Sequence, residues 1–302
     1  MSNLFAKILA ATDGSEDATL AIRAATEVST RAGSELHVVH VWREPAVWEG
    51  SYVNGRQEAK SLLEEQAGQI RAAGGTLAGS HLREGNPAGE IVGLAKELGV
   101  GLVVIGSRGL GMIKRLIMGS VSEGVVQLAP CPTLVVRGGE AAWPPSRLVM
   151  GDDGSEEARR AGELAAGMGK LLDARVLLMR IYPSVAVYKA RRVVHLRASR
   201  EVLRRGKRAL EKRADELESV LGIRPETKVL SGDAAAVIQE KVGESGESTL
   251  VALGRLGLGD ARYSTLGSVS ADVLRAVASP VLIVPSSRHR EKSSNDSRKE
   301  EG

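Results

Sequence analysis

Lys7-Ile8-Leu9-Ala10-Ala11-Thr12-Asp13-Gly14-Ser15-Glu16 returns 140 residues later as Arg147-Leu148-Val149-Met150-Gly151-Asp152-Asp153-Gly154-Ser155-Glu156. In both stretches a short apolar run, suited to a buried strand, ends in Asp-Gly-Ser, a turn that can cap a following helix. Two later stretches repeat as well, each 148 residues on. Gly106-Ser107-Arg108-Gly109 returns as Gly254-Arg255-Leu256-Gly257, and Pro130-Cys131-Pro132-Thr133-Leu134-Val135-Val136 returns as Ala278-Ser279-Pro280-Val281-Leu282-Ile283-Val284. Repetition in the same order marks an internal duplication. The second copy has gained eight residues net between its opening strand and its glycine motif.

Outward from these anchors each half alternates strands and helices. In the first half, Ala18, Ala21, Ile22 and Ala25 recur at helical spacing, and Ala158, Ala161 and Ala165 do so in the second. Strands are expected at Leu36–Val41, Leu77–Arg83, Leu102–Ile105 and Thr133–Val136, with helices over Arg56–Ala73, Pro87–Leu98 and Ser120–Leu128. Five strands separated by helices predict an α/β fold of two tandem Rossmann-like domains, each a parallel sheet with helices on both faces. The expected boundaries are 1–138 for the first domain, 139–146 for a linker, 147–286 for the second domain and 287–302 for a polar, disordered tail.

Composition fits this reading. Hydrophobic residues are 43% of 302 and aromatics only 3%, so the cores must be built from Val, Leu, Ile and Ala. No apolar stretch approaches the roughly 20 residues that span a bilayer, and the N-terminus lacks a signal pattern, so no membrane partner and a cytoplasmic address are expected. Cys131 is the single cysteine and the five histidines form no HxH or HExxH pair, so neither a disulfide nor a metal site is expected. The formal net charge of +4 is uneven: Lys189–Arg213 holds eleven basic residues against Glu201 and Glu211. A solvated helix face, with Leu203, Leu210, Ala214, Leu217 and Leu221 as its buried stripe, is the preferred reading over a nucleic-acid partner.

In doubly wound sheets, ligands bind beyond the carboxyl ends of the strands where the strand order reverses. Asp13 falls at such a strand end, suited to accept hydrogen bonds from a ribose hydroxyl or a base edge. Gly106-x2-Gly109-x9-Gly119-Ser120 follows the fourth strand and recurs as Gly254-x2-Gly257-x9-Gly267-Ser268. Two glycines three apart let backbone N–H groups approach a phosphate, and a helix opening at Gly119-Ser120 favours anions. Ser120-Val121-Ser122-Glu123 fits a capping box, and Arg108, Lys114 and Arg115 add positive charge. The spacing matches neither GxGxxG nor a Walker A loop.

These segments resemble the universal stress protein family, over about Leu4–Val136 and Arg147–Pro285. In that family the G-2x-G-9x-G-(S/T) pattern marks members that bind ATP, and the fold is a five-stranded parallel sheet of order 3-2-1-4-5. The resemblance implies ATP, or ADP or AMP, as the ligand, with Mg2+ as an optional companion. By position, Asp13 and Val41 would touch adenosine, while Gly106, Gly109, Gly119, Ser120 and Val121 would hold phosphates. Their second-copy counterparts are Asp153, Ile181, Gly254, Gly257, Gly267, Ser268 and Val269. The resemblance also implies that the halves pair through their last strands, Val135-Val136 and Ile283-Val284, as an intramolecular pseudo-dimer, with homodimers and a protein partner as further associations.

The first copy is expected to bind more strongly. Thr12 becomes Asp152, and Asp260 and Arg262 stand where the first copy has Met112 and Lys114, which sets more negative charge against a polyphosphate. No Ser–His–Asp order or dedicated base is evident, and His40 reads as structural, so no catalytic residue is assigned. Binding by a stress-response regulator is the leading reading. Slow ATP hydrolysis and a protein scaffold with vestigial sites are the alternatives.

Overall fold

The computed structural model describes residues 5–43, 55–109, 118–189, 192–196, 200–257 and 266–285. It divides into two compact units, residues 5–143 and 144–285. The first runs β1 (Lys7–Thr12), α1 (Glu16–Ala32), β2 (Glu35–Trp42), α2 (Gly55–Ala72), β3 (Leu77–Glu84), α3 (Pro87–Leu98), β4 (Leu102–Gly106), α4 (Ser120–Leu128) and β5 (Thr133–Val136). Its strands are parallel neighbours in the order β3-β2-β1-β4-β5. The apolar runs explain this: β4 and β5 are buried at every residue, as strands covered on both faces must be. Helix α1 turns Ala18, Ala21, Ile22 and Ala25 inward, all nearly inaccessible.

The second unit runs β6 (Arg147–Gly151), α5 (Glu156–Leu172), β7 (Arg175–Tyr182), β8 (Val185–Lys189), β9 (Arg192–Leu196), α6 (Arg200–Leu221), β10 (Glu226–Ser231), α7 (Ala234–Glu244), β11 (Thr249–Gly254), α8 (Ser268–Ala276) and β12 (Val281–Val284). Its parallel strands follow the order β10-β7-β6-β11-β12. The arrangement is mostly, not wholly, parallel, because β8 and β9 form an antiparallel pair of their own. This corrects the reading of Lys189–Arg213 as one helical segment. Lys189 ends β8, Arg192–Leu196 is the β-branched-rich strand β9, and α6 runs from Arg200. The expected stripe is present where α6 begins to pack, with Leu210, Ala214 and Leu217 fully buried.

Duplication reaches the backbone in detail. Gly14 and Gly154, in the two Asp-Gly-Ser turns, have φ of +80° and +88°, which only glycine adopts without strain. Ser15 and Ser155 then cap α1 and α5 by accepting from Ala18 N and Ala158 N. The segment after β5 is anchored to the first unit: Trp143 is buried and its Nε1 donates to Glu27 Oε2 at 2.9 Å. Residues 287–302, expected to form a tail, lie outside the described residues.

Candidate functional site

A cavity of about 440 Å³ opens beyond the carboxyl ends of β1, β2 and β4 in the first unit, at the point where the strand order reverses. Asp13, Val41, Gly106, Arg108, Gly109, Gly119, Ser120 and Val121 all line it. Those are the eight candidate positions of the first copy, drawn from four separate stretches of chain. The rest of the lining is chiefly apolar, with Ala11, Val39, Pro87, Ile91 and Ile105 forming a floor that sequence reasoning did not name. Alternation along β2 could have pointed to Val39, two residues before Val41 and on the same face.

The loop after β4 is held by a small set of hydrogen bonds. Gly119 N donates to Ser107 O at 2.8 Å, and Ser122 Oγ donates to Gly106 O at 2.7 Å. The second unit repeats both, Gly267 N to Arg255 O at 2.8 Å and Ser270 Oγ to Gly254 O at 2.7 Å. Ser122 thus ties the helix to the strand and does not belong to a capping box. Helix α4 starts one residue earlier than that box requires: Gly119 is the N-cap, and no side chain caps it. The same holds for Gly267 and α8, whereas α1, α3, α5 and α7 carry side-chain caps. An opening turn without a side-chain acceptor leaves N–H donors and the positive dipole end facing the cavity.

The three glycines of the motif differ in role. A Cβ on Gly106 would lie 2.7 Å from both Ala18 N and Asp17 C, so this glycine lets β4 pass under the first turn of α1. A Cβ on Gly109 would collide with Asp13 Oδ2. On Gly119 it would make only ordinary contact, 3.4 Å from Ser107 O, and would stand in the lining of the cavity.

Arg108 corrects the charge expected here. Its Nε and a terminal nitrogen donate to the two carboxylate oxygens of Asp17 at 3.0 and 3.2 Å, and Ser107 Oγ donates to the same carboxylate at 2.7 Å. The guanidinium therefore braces the loop against α1 and is already neutralised. Sequence reasoning also missed Arg137, a buried residue just after β5. Burial lowers its guanidinium to about 10, with Asp17 acting the other way and Arg108 reinforcing the fall. The Asp17 carboxylate thus acts on both guanidiniums. Asp13 is half-buried, with Oδ1 accepting from Ser15 N at 3.0 Å. His40 is committed elsewhere, its Nδ1 2.7 Å from Thr12 O and hence the donor.

In the second unit the counterparts sit at the matching places: Asp153 after β6, Ile181 in β7, Gly254 at the end of β11 and Gly257 after it, and Gly267, Ser268 and Val269 at the opening of α8. Asp153 is exposed. The expectation that Asp152 sets an extra negative charge there is corrected, because Asp152 is buried and half-buried Arg180 donates to its Oδ1 at 2.6 Å. Burial pulls the Arg180 guanidinium down, but Asp152 and Tyr182 outweigh it and hold it above its ordinary value. Arg180 also occupies the place of His40, its Nε 3.3 Å from Asp152 O as His40 is bonded to Thr12 O. Position 107, a serine in the first copy, is Arg255 in the second, and burial lowers that guanidinium. Lys114, Arg115, Met112, Asp260 and Arg262 lie outside the described residues.

Among the described residues no helix is long and apolar enough to cross a membrane, and no cluster of three His, Cys, Asp or Glu could hold a metal ion. Bacillus subtilis universal stress protein YxiE is 34% identical over 148 residues, covering 44% of this chain and all of that protein. A universal stress protein of Thermus aquaticus is 36% identical over 139 residues, again 44% of this chain and all of the relative. The solved structure of an Archaeoglobus fulgidus universal stress protein, 22% identical, matches the fold with a TM-score of 0.68 over 94% of this chain and 99% of that one. The universal stress protein family model matches residues 4–137 and again 145–285. The chain therefore belongs to the universal stress protein family, with two such domains in tandem.

Proposed function

We propose that the protein binds an adenine nucleotide, ATP or its di- or monophosphate, chiefly in its first unit, and acts through that bound state and not through catalysis. The observation that carries this reading is the convergence of all eight candidate residues of the first copy on one cavity of about 440 Å³. That volume lies within the range of small-ligand sites. The division of its lining also suits a nucleotide. The apolar floor of Val39, Val41 and Ile91 offers a face for a base, with Asp13 beside it as an acceptor. At the other end, the uncapped start of α4 offers N–H donors to phosphate oxygens. Bound Mg2+ would offset part of the phosphate charge. Among the described residues the polar lining consists of Thr12, Asp13, Arg108, Ser120 and Ser122, with Asp13 alone able to serve as a base and its Oδ1 accepting from Ser15 N.

Calorimetric titration of the whole protein with ATP tests the reading. Saturable binding is expected, with Asp13→Ala and Gly119→Val each weakening it about tenfold or more, some 1.4 kcal/mol. Absence of saturable binding at millimolar ATP, or affinity unchanged in both variants, would overturn it.

A further inference from the structure

The nucleotide reading leaves the charge of α6 without a role. This helix buries Gly206, Leu210, Arg213, Ala214 and Leu217 and turns its other side to solvent. Arg200, Arg204, Lys207, Arg208 and Lys212 are all exposed. Four of them follow one another at i, i+4, which sets a line of cations about 6 Å apart over about 18 Å. Arg205 pairs with Glu201, but none of these five has an ion pair or side-chain hydrogen bond among the described residues. Several other cations of the unit, exposed or half-buried, are paired. Arg160 pairs with Glu156, Arg175 with Glu247, Arg224 with Glu211 and Asp215, and Lys241 with Glu244.

The line is unfavourable to its own helix. Like charges at i, i+4 repel, and cations in the first turns oppose the helix dipole. Lys207 faces Glu211 one turn on, but Arg224 already holds that carboxylate, and a run that breaks local rules in this way marks a surface whose counter-charge comes from outside. The face is convex and its cations are spread along it, so it suits an extended polyanion and not a small one. The apolar side of α6 is packed inside the unit, which leaves Val202 as the one large apolar residue exposed on the helix and little to insert into a lipid surface. Three of the five are arginines, whose planar forks suit phosphate oxygens.

We propose that the exposed face of α6 binds the phosphate backbone of duplex nucleic acid, without sequence preference. This revises the solvated-face reading of the basic run, because a solvated face would hold its charges in mixed pairs, as α5 and α7 do.

Fluorescence anisotropy of the full chain with a labelled 20-base-pair duplex of mixed sequence is the test. Saturable binding is expected at 50 mM salt, equal for unrelated sequences. The logarithm of the association constant should fall with log salt at a slope of about −4.5 for five phosphate contacts. Replacing Arg204, Lys207, Arg208 and Lys212 with Ser should weaken binding at least about tenfold and reduce the slope by about 3.6, with the melting curve retained. Should that variant lose its fold, Arg208→Ser alone should lower the slope by about 1. The proposal fails if the duplex does not bind at 50 mM salt, or if these substitutions leave affinity and slope unchanged. It fails equally if phosphatidylserine vesicles or polyglutamate at matched charge compete better than unlabelled duplex, which would assign the face to a membrane or an acidic protein.

Discussion

Gly106→Ala should destabilise the first unit before it affects any ligand. A Cβ there would stand 2.7 Å from Ala18 N, 2.7 Å from Asp17 C and 2.9 Å from Asp17 O. All three are backbone atoms in the first turn of α1, so no side-chain rotation can relieve the contact. The strand or the helix must move, and overpacking of this kind costs about 1–3 kcal/mol. For a unit of this size about 4 °C of melting temperature is lost per kcal/mol, which gives a fall of about 4–12 °C. The duplicated chain supplies its own control. At Gly254 the nearest atom is Leu256 O at 3.0 Å, and the α5 backbone stands off at 3.4 and 3.5 Å, so Gly254→Ala should cost less than half as much. Trp42, Trp48 and Trp143 all precede residue 144, so tryptophan fluorescence follows the first unit while far-UV circular dichroism follows both. Gly119→Ala should melt closer to the parent than Gly106→Ala, because its new methyl meets nothing nearer than 3.4 Å, yet it should weaken nucleotide binding. A Gly106→Ala protein that melts with the parent, or a Gly254→Ala protein that loses as much, would refute the assignment of this glycine to packing.

Two further outcomes follow from buried ionisable groups. Arg180→Ala leaves the buried Asp152 carboxylate without its guanidinium and should cost the second unit about 3–5 kcal/mol. Adding Asp152→Thr, which copies Thr12 of the first unit, should recover most of it, and a double variant no more stable than Arg180→Ala would refute the account. His37 and His81 meet at 3.1 Å between Nδ1 and Nε2 over Gly79, and burial holds both below the ordinary imidazole value of 6.5. Glu35 opposes that shift at His37 and Lys7 adds to it; at His81, His37 and Arg83 add to it while Glu97 opposes it. The unfolded chain therefore binds more protons, so this stability is complete above about pH 6.5 and is lost as pH falls below it. The urea midpoint read by tryptophan fluorescence should drop between pH 7.5 and 5, and His81→Gln should flatten the drop. A parent midpoint that does not move over that range would exclude the pair as its source.

The fold was legible because its signals are local. Leu102-Val103-Val104-Ile105 is buried on both faces and can be little else than an inner strand, and the second copy repeats its place before a glycine turn. Much of the site geometry was legible for the same reason, since Asp13 and Gly106 each end a strand that a short apolar run announces. The electrostatics were not legible, because they depend on register. Arg108 meets Asp17 across 91 positions and Arg180 meets Asp152 across 28, and neither pairing leaves a trace in the spacing of either residue. Counting formal charges near a motif therefore included two, on Arg108 and Asp152, that were already spent. Asp152 does not repel a phosphate with Arg180 upon it, and Arg108 does not attract one while it grips Asp17. The same omission ran the other way on α6, where a charge run was read as a solvated face without asking where its counter-charges lie. What separates a bracing cation from a binding one is whether a carboxylate stands within reach, and only the packed chain supplies that fact.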